Sequence, residues 1–193
     1  MEAFLISTGV VAIAEIGDKT QLLAMVLAAR FRRPRPIILG ILAATILNHA
    51  IAAGLGVLVA QWLEGRAFQA VVGLAFLAMA GWALVPDKED EDAGAKSVGG
   101  VFLTTLVAFF LVEIGDKTQI ATSLLAARFQ NLTLVTAGTT LGMMLANVPA
   151  VFLGEAATNV VPLKVVRMVA AVIFGLIGVS VLAAAFLPSG FRV

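Results

Sequence analysis

The chain of 193 residues has no cysteine, a single histidine and few charges for its length. Without cysteine it can form neither disulfides nor thiolate metal sites, though this absence says nothing about compartment. Charged residues make up 13% of it, against about a quarter in an ordinary soluble domain. A net charge of +1 supplies no basic face or tail for nucleic acid. No hydrophilic segment is long enough to fold as a nucleotide-binding domain, so any transport must draw on a gradient or a separate subunit. The N-terminus has no basic n-region and no small-residue cleavage site before its first polar cluster. The first apolar segment is therefore expected to be a retained span, not a signal peptide.

What is present is apolar surface. Hydrophobic residues make up 61% and the mean hydropathy is +1.04, so a lipid bilayer must cover what polar groups cannot. A spanning helix needs about 20 mainly apolar residues. Six stretches qualify: Ala3–Ala29, Ile37–Trp62, Ala67–Val85, Gly100–Ala127, Leu132–Ala156 and Leu163–Leu187. The segments between them hold most of the charge and proline, including Arg32-Arg33-Pro34-Arg35-Pro36, expected as a turn, and an acidic linker over 87–99.

The chain repeats itself. Glu15–Phe31 reads EIGDKTQLLAMVLAARF and Glu113–Phe129 reads EIGDKTQIATSLLAARF, identical at 12 of 17 positions at an offset of 98. Residues 1–86 and 100–193 each hold three of the expected spans, and an odd number per half inverts the second half relative to the first. The fold class expected is an all-α membrane protein of six transmembrane helices, built as two inverted three-helix repeats. Loop charge agrees. With the arginine-rich loop inside, Arg30, Arg32, Arg33, Arg35, Lys88, Lys96, Lys164 and Arg167 lie inside, against Arg66, Arg128 and Arg192 outside. Both termini are then expected outside and the linker in the cytoplasm.

The motif carries the chemistry. Glu15, Asp18, Glu113 and Asp116 fall at mid-span, where each acid costs a few kcal/mol on insertion scales. On a continuous helix Glu15, Asp18 and Lys19 share a face, as do Glu113, Asp116 and Lys117. Gly17 and Gly115 suit either close helix contact or a local break. Four carboxylates are expected to converge, and oxygen-only clusters suit hard cations such as Mg²⁺, Ca²⁺ and Mn²⁺. Thr20, Thr118, Gln21 and Gln119 can add neutral oxygens, although an interhelical hydrogen-bond role fits the glutamines as well. Lys19 and Lys117 would balance charge or gate. His49 faces only Asn147 at its repeat-equivalent position, which argues against zinc or copper. Asn48, His49 and Asn147 suit structural hydrogen bonds better than lining of an ion path. Glycines such as Gly40, Gly54, Gly56, Gly73, Gly138, Gly142, Gly175 and Gly178 read as close helix contacts, and Met143 and Met144 as core.

Glu15-Ile16-Gly17-Asp18-Lys19-Thr20 and Glu113-Ile114-Gly115-Asp116-Lys117-Thr118 resemble the doubled Glu-x-Gly-Asp-Lys/Arg-Thr/Ser motif of the GDT family of cation/proton antiporters. That family includes Golgi manganese and calcium transporters and bacterial manganese exporters. The resemblance covers essentially the whole chain. It implies export of Mn²⁺, with Ca²⁺ as an alternative substrate, in exchange for protons, and no prosthetic group. The short loops and lack of an N-terminal extension resemble prokaryotic members, which implies the plasma membrane. A homo-oligomer is left open. Two other classes compete: a membrane-embedded enzyme, such as a lipid phosphatase with an acidic site, and a scaffold or assembly factor, for which the intramembrane charges would have no purpose. Salt bridges that merely fix helix packing are the structural alternative for the charges themselves. The enzyme would want a His, Ser or Arg set beside the acids, and none accompanies the motif.

Overall fold

A computed structural model describes residues 1–62, 65–85, 99–153 and 162–186. Among these residues the chain is all helix and turn. The order is α1 (Glu2–Ala14), α2 (Lys19–Phe31), α3 (Pro34–Trp62), α4 (Gly65–Ala83), α5 (Val101–Glu113), α6 (Lys117–Phe129), α7 (Leu132–Leu153) and α8 (Leu163–Phe186). Four of them, α3, α4, α7 and α8, are long and apolar enough to cross a membrane. Their bounds follow the expected stretches closely. The proline-arginine segment expected as a turn instead opens α3 at Pro34. The first-turn amides of a helix have no internal partner, so prolines there lose nothing. Most of the acidic linker, residues 87–98, lies outside the described residues.

The first and fourth stretches are not continuous helices. Each divides at the motif into two helices of 13 residues, about 20 Å apiece and too short to span alone. The division is a β-turn. The Asp18 amide donates to the Glu15 carbonyl at 3.1 Å, and Asp116 repeats this with Glu113 at 3.1 Å. In the second copy Ile114 sits at φ −62°, ψ 119° and Gly115 at φ +76°, which is a type II turn. Gly17 shares the same φ. A type II turn requires positive φ at its third residue, where any side chain would be strained. The motif glycines are therefore there for a break. The reading of one continuous helical face does not hold, because the turn interrupts the 100° periodicity.

Packing crosses between the halves. α1 lies against α7, α5 against α3, α6 against α3, and α4 against α8. The contacts recur at the offset of 98. A Cβ on Gly40 would meet the Phe102 carbonyl and Thr105, and one on Gly138 would meet the Phe4 carbonyl and Ser7. Gly56 lies against the Ser123 backbone, Gly142 against Thr8 and Ala12, and Gly73 and Gly178 against each other's backbone. These are close helix contacts as expected. Gly54 and Gly175 have only ordinary contacts, to Leu132 and Ala80. Met143 is fully buried and Met144 packs against the core. Large apolar side chains on the outer faces stay exposed, among them Leu55, Val71, Leu145 and Leu176, as a lipid-facing surface requires.

Candidate metal centre

The two breaks bring the motif acids together. Glu15 ends α1 as its C-cap, and Glu113 is the last residue of α5. Both are fully buried. Asp18 and Asp116 hold the N-cap positions of α2 and α6, yet neither side chain caps its helix. One ligand oxygen each from Glu15, Glu113 and Asp116 lies within 4.8 Å of the others. Three carboxylates therefore converge, not the four expected. Asp18 stands beside this group: it lines a small cavity of about 40 Å³ with Gly17, Lys117 and Arg167.

The threonines and one lysine bind the acids directly. Thr20 Oγ1 donates to Glu15 Oε2 at 2.6 Å. Thr118 Oγ1 lies 3.1 Å from Asp116 Oδ2 and 3.4 Å from Glu113 Oε2. Lys19 crosses to the other motif, its Nζ 3.2 Å from Asp116 Oδ1. Lys117 donates to the Val85 carbonyl at 2.6 Å and lies over the Trp82 ring. One oxygen of each glutamate, Glu15 Oε1 and Glu113 Oε1, is buried with no hydrogen-bond partner. Such atoms are rare in folded chains, and each calls for a partner such as a water or an ion.

The glutamines hold the turns. Gln21 Oε1 accepts from the Gly17 amide at 2.7 Å, and Gln119 Oε1 accepts from the Gly115 amide at 2.6 Å. Gln21 Nε2 also donates to the Ala146 carbonyl at 2.8 Å. Each break frees an amide that needs an acceptor, and of the two glutamines Gln21 also makes the interhelical hydrogen bond expected. Asn48 donates to the Phe110 carbonyl at 3.1 Å and Asn147 to the Met143 carbonyl at 3.1 Å, both structural bonds. His49 departs from that expectation. It is fully buried and neither ring nitrogen has a partner. With Asn147 at its repeat-equivalent position, His49 offered no paired ligand pattern in the sequence.

Among the described residues the all-helical arrangement, with four membrane-length apolar helices and buried carboxylates from a repeated motif, fits a membrane transporter of cations. The family described as "Divalent cation/proton antiporter GDT1" matches residues 3–91 and 101–189, segments that start the same 98 residues apart as the motifs. The chain belongs to this family, which is one of transporters; it is therefore a transporter and not an enzyme. It is 50% identical over 181 residues to the "Putative manganese exporter" of Vibrio cholerae, covering 93% of this chain and 90% of that one. It is 30% identical over 169 residues to "GDT1-like protein 4" of Oryza sativa subsp. indica, covering 73% and 59%. With "GDT1-like protein 3" of the same source it shares 27% over 201 residues, covering 90% and 71%. No solved structure matches.

Proposed function

We propose that the chain exports Mn²⁺, with Ca²⁺ as an alternative substrate, in exchange for protons, through a midplane site formed by its two EIGDKTQ motifs. The observation that carries this is the convergence of Glu15, Glu113 and Asp116, one acid pair and one single acid from opposite halves, in a buried position. Three carboxylates and no thiolate suit a hard divalent cation. Asp18 sits at the edge of this site with access to a cavity, and Thr20 and Thr118 orient the carboxylates. Gln21 and Gln119 support the turns, and each keeps a second lone pair on Oε1 for the ion. The Vibrio relative's name favours manganese, and its bacterial source agrees with a plasma membrane.

The architecture that goes with this reading is two inverted three-helix repeats, over 1–86 and 100–193, joined by a cytoplasmic linker over 87–99. In it α1 with α2, and α5 with α6, each serve as one broken span. Broken helices at the interface of inverted repeats are a recurrent way to place an ion site at mid-membrane. The crossed packing at constant offset supports it. Both termini then lie outside, as the arginine-rich loop requires.

Charge sets the coupling. The three converging carboxylates and Asp18 beside them carry −4, and Lys19, paired with Asp116, and Lys117, which lines the cavity with Asp18, carry +2, which leaves −2. One divalent cation neutralises the site. When it departs, unpaired charge in a dry interior is costly enough to be neutralised by other means, and clustered carboxylates take up protons as a coupled set. Two protons then replace one cation, and the exchange is electroneutral. The test uses proteoliposomes loaded in parallel with Mn²⁺, Ca²⁺ and Mg²⁺, with and without a pH gradient. Uptake of Mn²⁺ accelerated by the gradient supports the reading; uptake indifferent to the gradient for every ion refutes proton exchange.

A further inference from the structure

Resting on the reading above, that a cation passes between the two breaks, the surroundings of His49 point to a second ligand set. Four contacts fix the level of His49. Gly40 meets Phe102 and Thr105, and Gly56 meets Ser123 and Ala126. Between them Asn48 bonds to the Phe110 carbonyl, and Ser123 Oγ donates to the Ala52 carbonyl. Residue numbers rise together along α3 and α5–α6, so these run parallel. His49, between Asn48 and Ala52, therefore lies level with the second break at Glu113–Asp116. Its repeat equivalent, Asn147, is similarly placed at the first break, because Gln21 reaches from there to the carbonyl of Ala146. α3 and α7 pack against each other.

At this level several buried polar atoms have no partner. They are both nitrogens of His49, Asn48 Oδ1, Thr45 Oγ1 and Asn147 Oδ1. Thr45, Asn48 and His49 fall within 100° of one another around α3. A buried imidazole that neither donates nor accepts is costly, and unpartnered atoms on four side chains at the level of the breaks share one economical explanation. We propose that His49 lends a ring nitrogen to the cation at a second position beside the carboxylates, completed by oxygens of Thr45, Asn48 and Asn147. His49 is not among the groups that converge with Glu15, Glu113 and Asp116, so this is a neighbouring position on the path. Its ligands are neutral, which suits a station that holds an ion weakly enough to pass it on. A nitrogen donor also favours a first-row transition metal over Ca²⁺ and Mg²⁺, which prefer oxygen throughout. His49 thereby biases the transporter towards Mn²⁺.

The chain has one histidine, which makes the test unambiguous in tag-free protein. Electron spin-echo spectroscopy of the wild type at saturating Mn²⁺ should show coupling to an imidazole nitrogen. The coupling should change on selective ¹⁵N-histidine labelling and vanish in His49→Asn, the substitution that gives α3 the residue α7 carries. In transport, His49→Asn should lower the preference for Mn²⁺ over Ca²⁺, as a ratio of kcat/KM, by about tenfold. Mn²⁺ bound by oxygen alone in the wild type would overturn the proposal and leave the carboxylate site standing, and this needs no variant to fold. Equal loss for both ions in His49→Asn would also overturn it. Failure of the wild type to bind Mn²⁺ at all would sink both readings.

Discussion

Glu15 and Glu113 occupy equivalent positions but are held differently. Thr20 binds Glu15 at 2.6 Å, whereas Thr118 is divided between Glu113 and Asp116. Glu15→Gln, Glu113→Gln and Asp116→Asn each remove a charge at nearly constant volume. Each is expected to abolish Mn²⁺ transport in proteoliposomes while monodisperse protein is still recovered from the membrane; full activity in either glutamine variant would move the site elsewhere. Gln21→Leu leaves the Gly17 amide without its acceptor and should lower stability by about 1–3 kcal/mol, read as a drop in Tm. The acids were legible in the sequence because charge at mid-span is expensive and was present twice. The roles of the glutamines and of His49 were not, because they depend on which backbone atoms the breaks set free and on which neighbours a helix meets.

At the scale of the element, the short turn between two half-length helices decides the geometry. Gly115→Ala should cost about 1–2 kcal/mol, since its Cβ meets no atom and the positive φ alone is strained. Gly17→Ala should cost a similar amount, because the atoms its Cβ would strike belong to the flexible end of Leu163. A different contrast is expected in the long helices. Gly138→Ala drives a methyl into the Phe4 carbonyl and should destabilise by about 1–3 kcal/mol. Gly54→Ala, with only Leu132 at 3.8 Å, should be near neutral; equal shifts in Tm for the two would refute the packing argument. The long helices were legible from hydropathy alone. The breaks were not, since the apolar stretches on either side of Glu15–Asp18 and Glu113–Asp116 read as single spans, and only a glycine between two carboxylates hinted at a turn.

For the whole molecule, the outcome turns on orientation and on charge movement. A cysteine at Ser97, in a chain without any other, should resist an impermeant reagent in intact cells and react once the membrane is opened. Labelling in intact cells would reverse the orientation. An imposed membrane potential, clamped with potassium and valinomycin, should leave the equilibrium Mn²⁺ distribution unchanged if one cation exchanges for two protons. The crossed packing has a further consequence, one of kinship. Because α1 finds its neighbour in α7 and α3 finds its neighbour in α5, neither half can complete its own interior. If the halves insert in opposite senses, as proposed, an ancestral gene encoding one half would have worked only as a pair of identical chains, and fusion would have fixed that marriage in a single polypeptide. Residues 1–91 and 92–193, expressed as separate chains, should therefore each be degraded alone and restore Mn²⁺ export when made together.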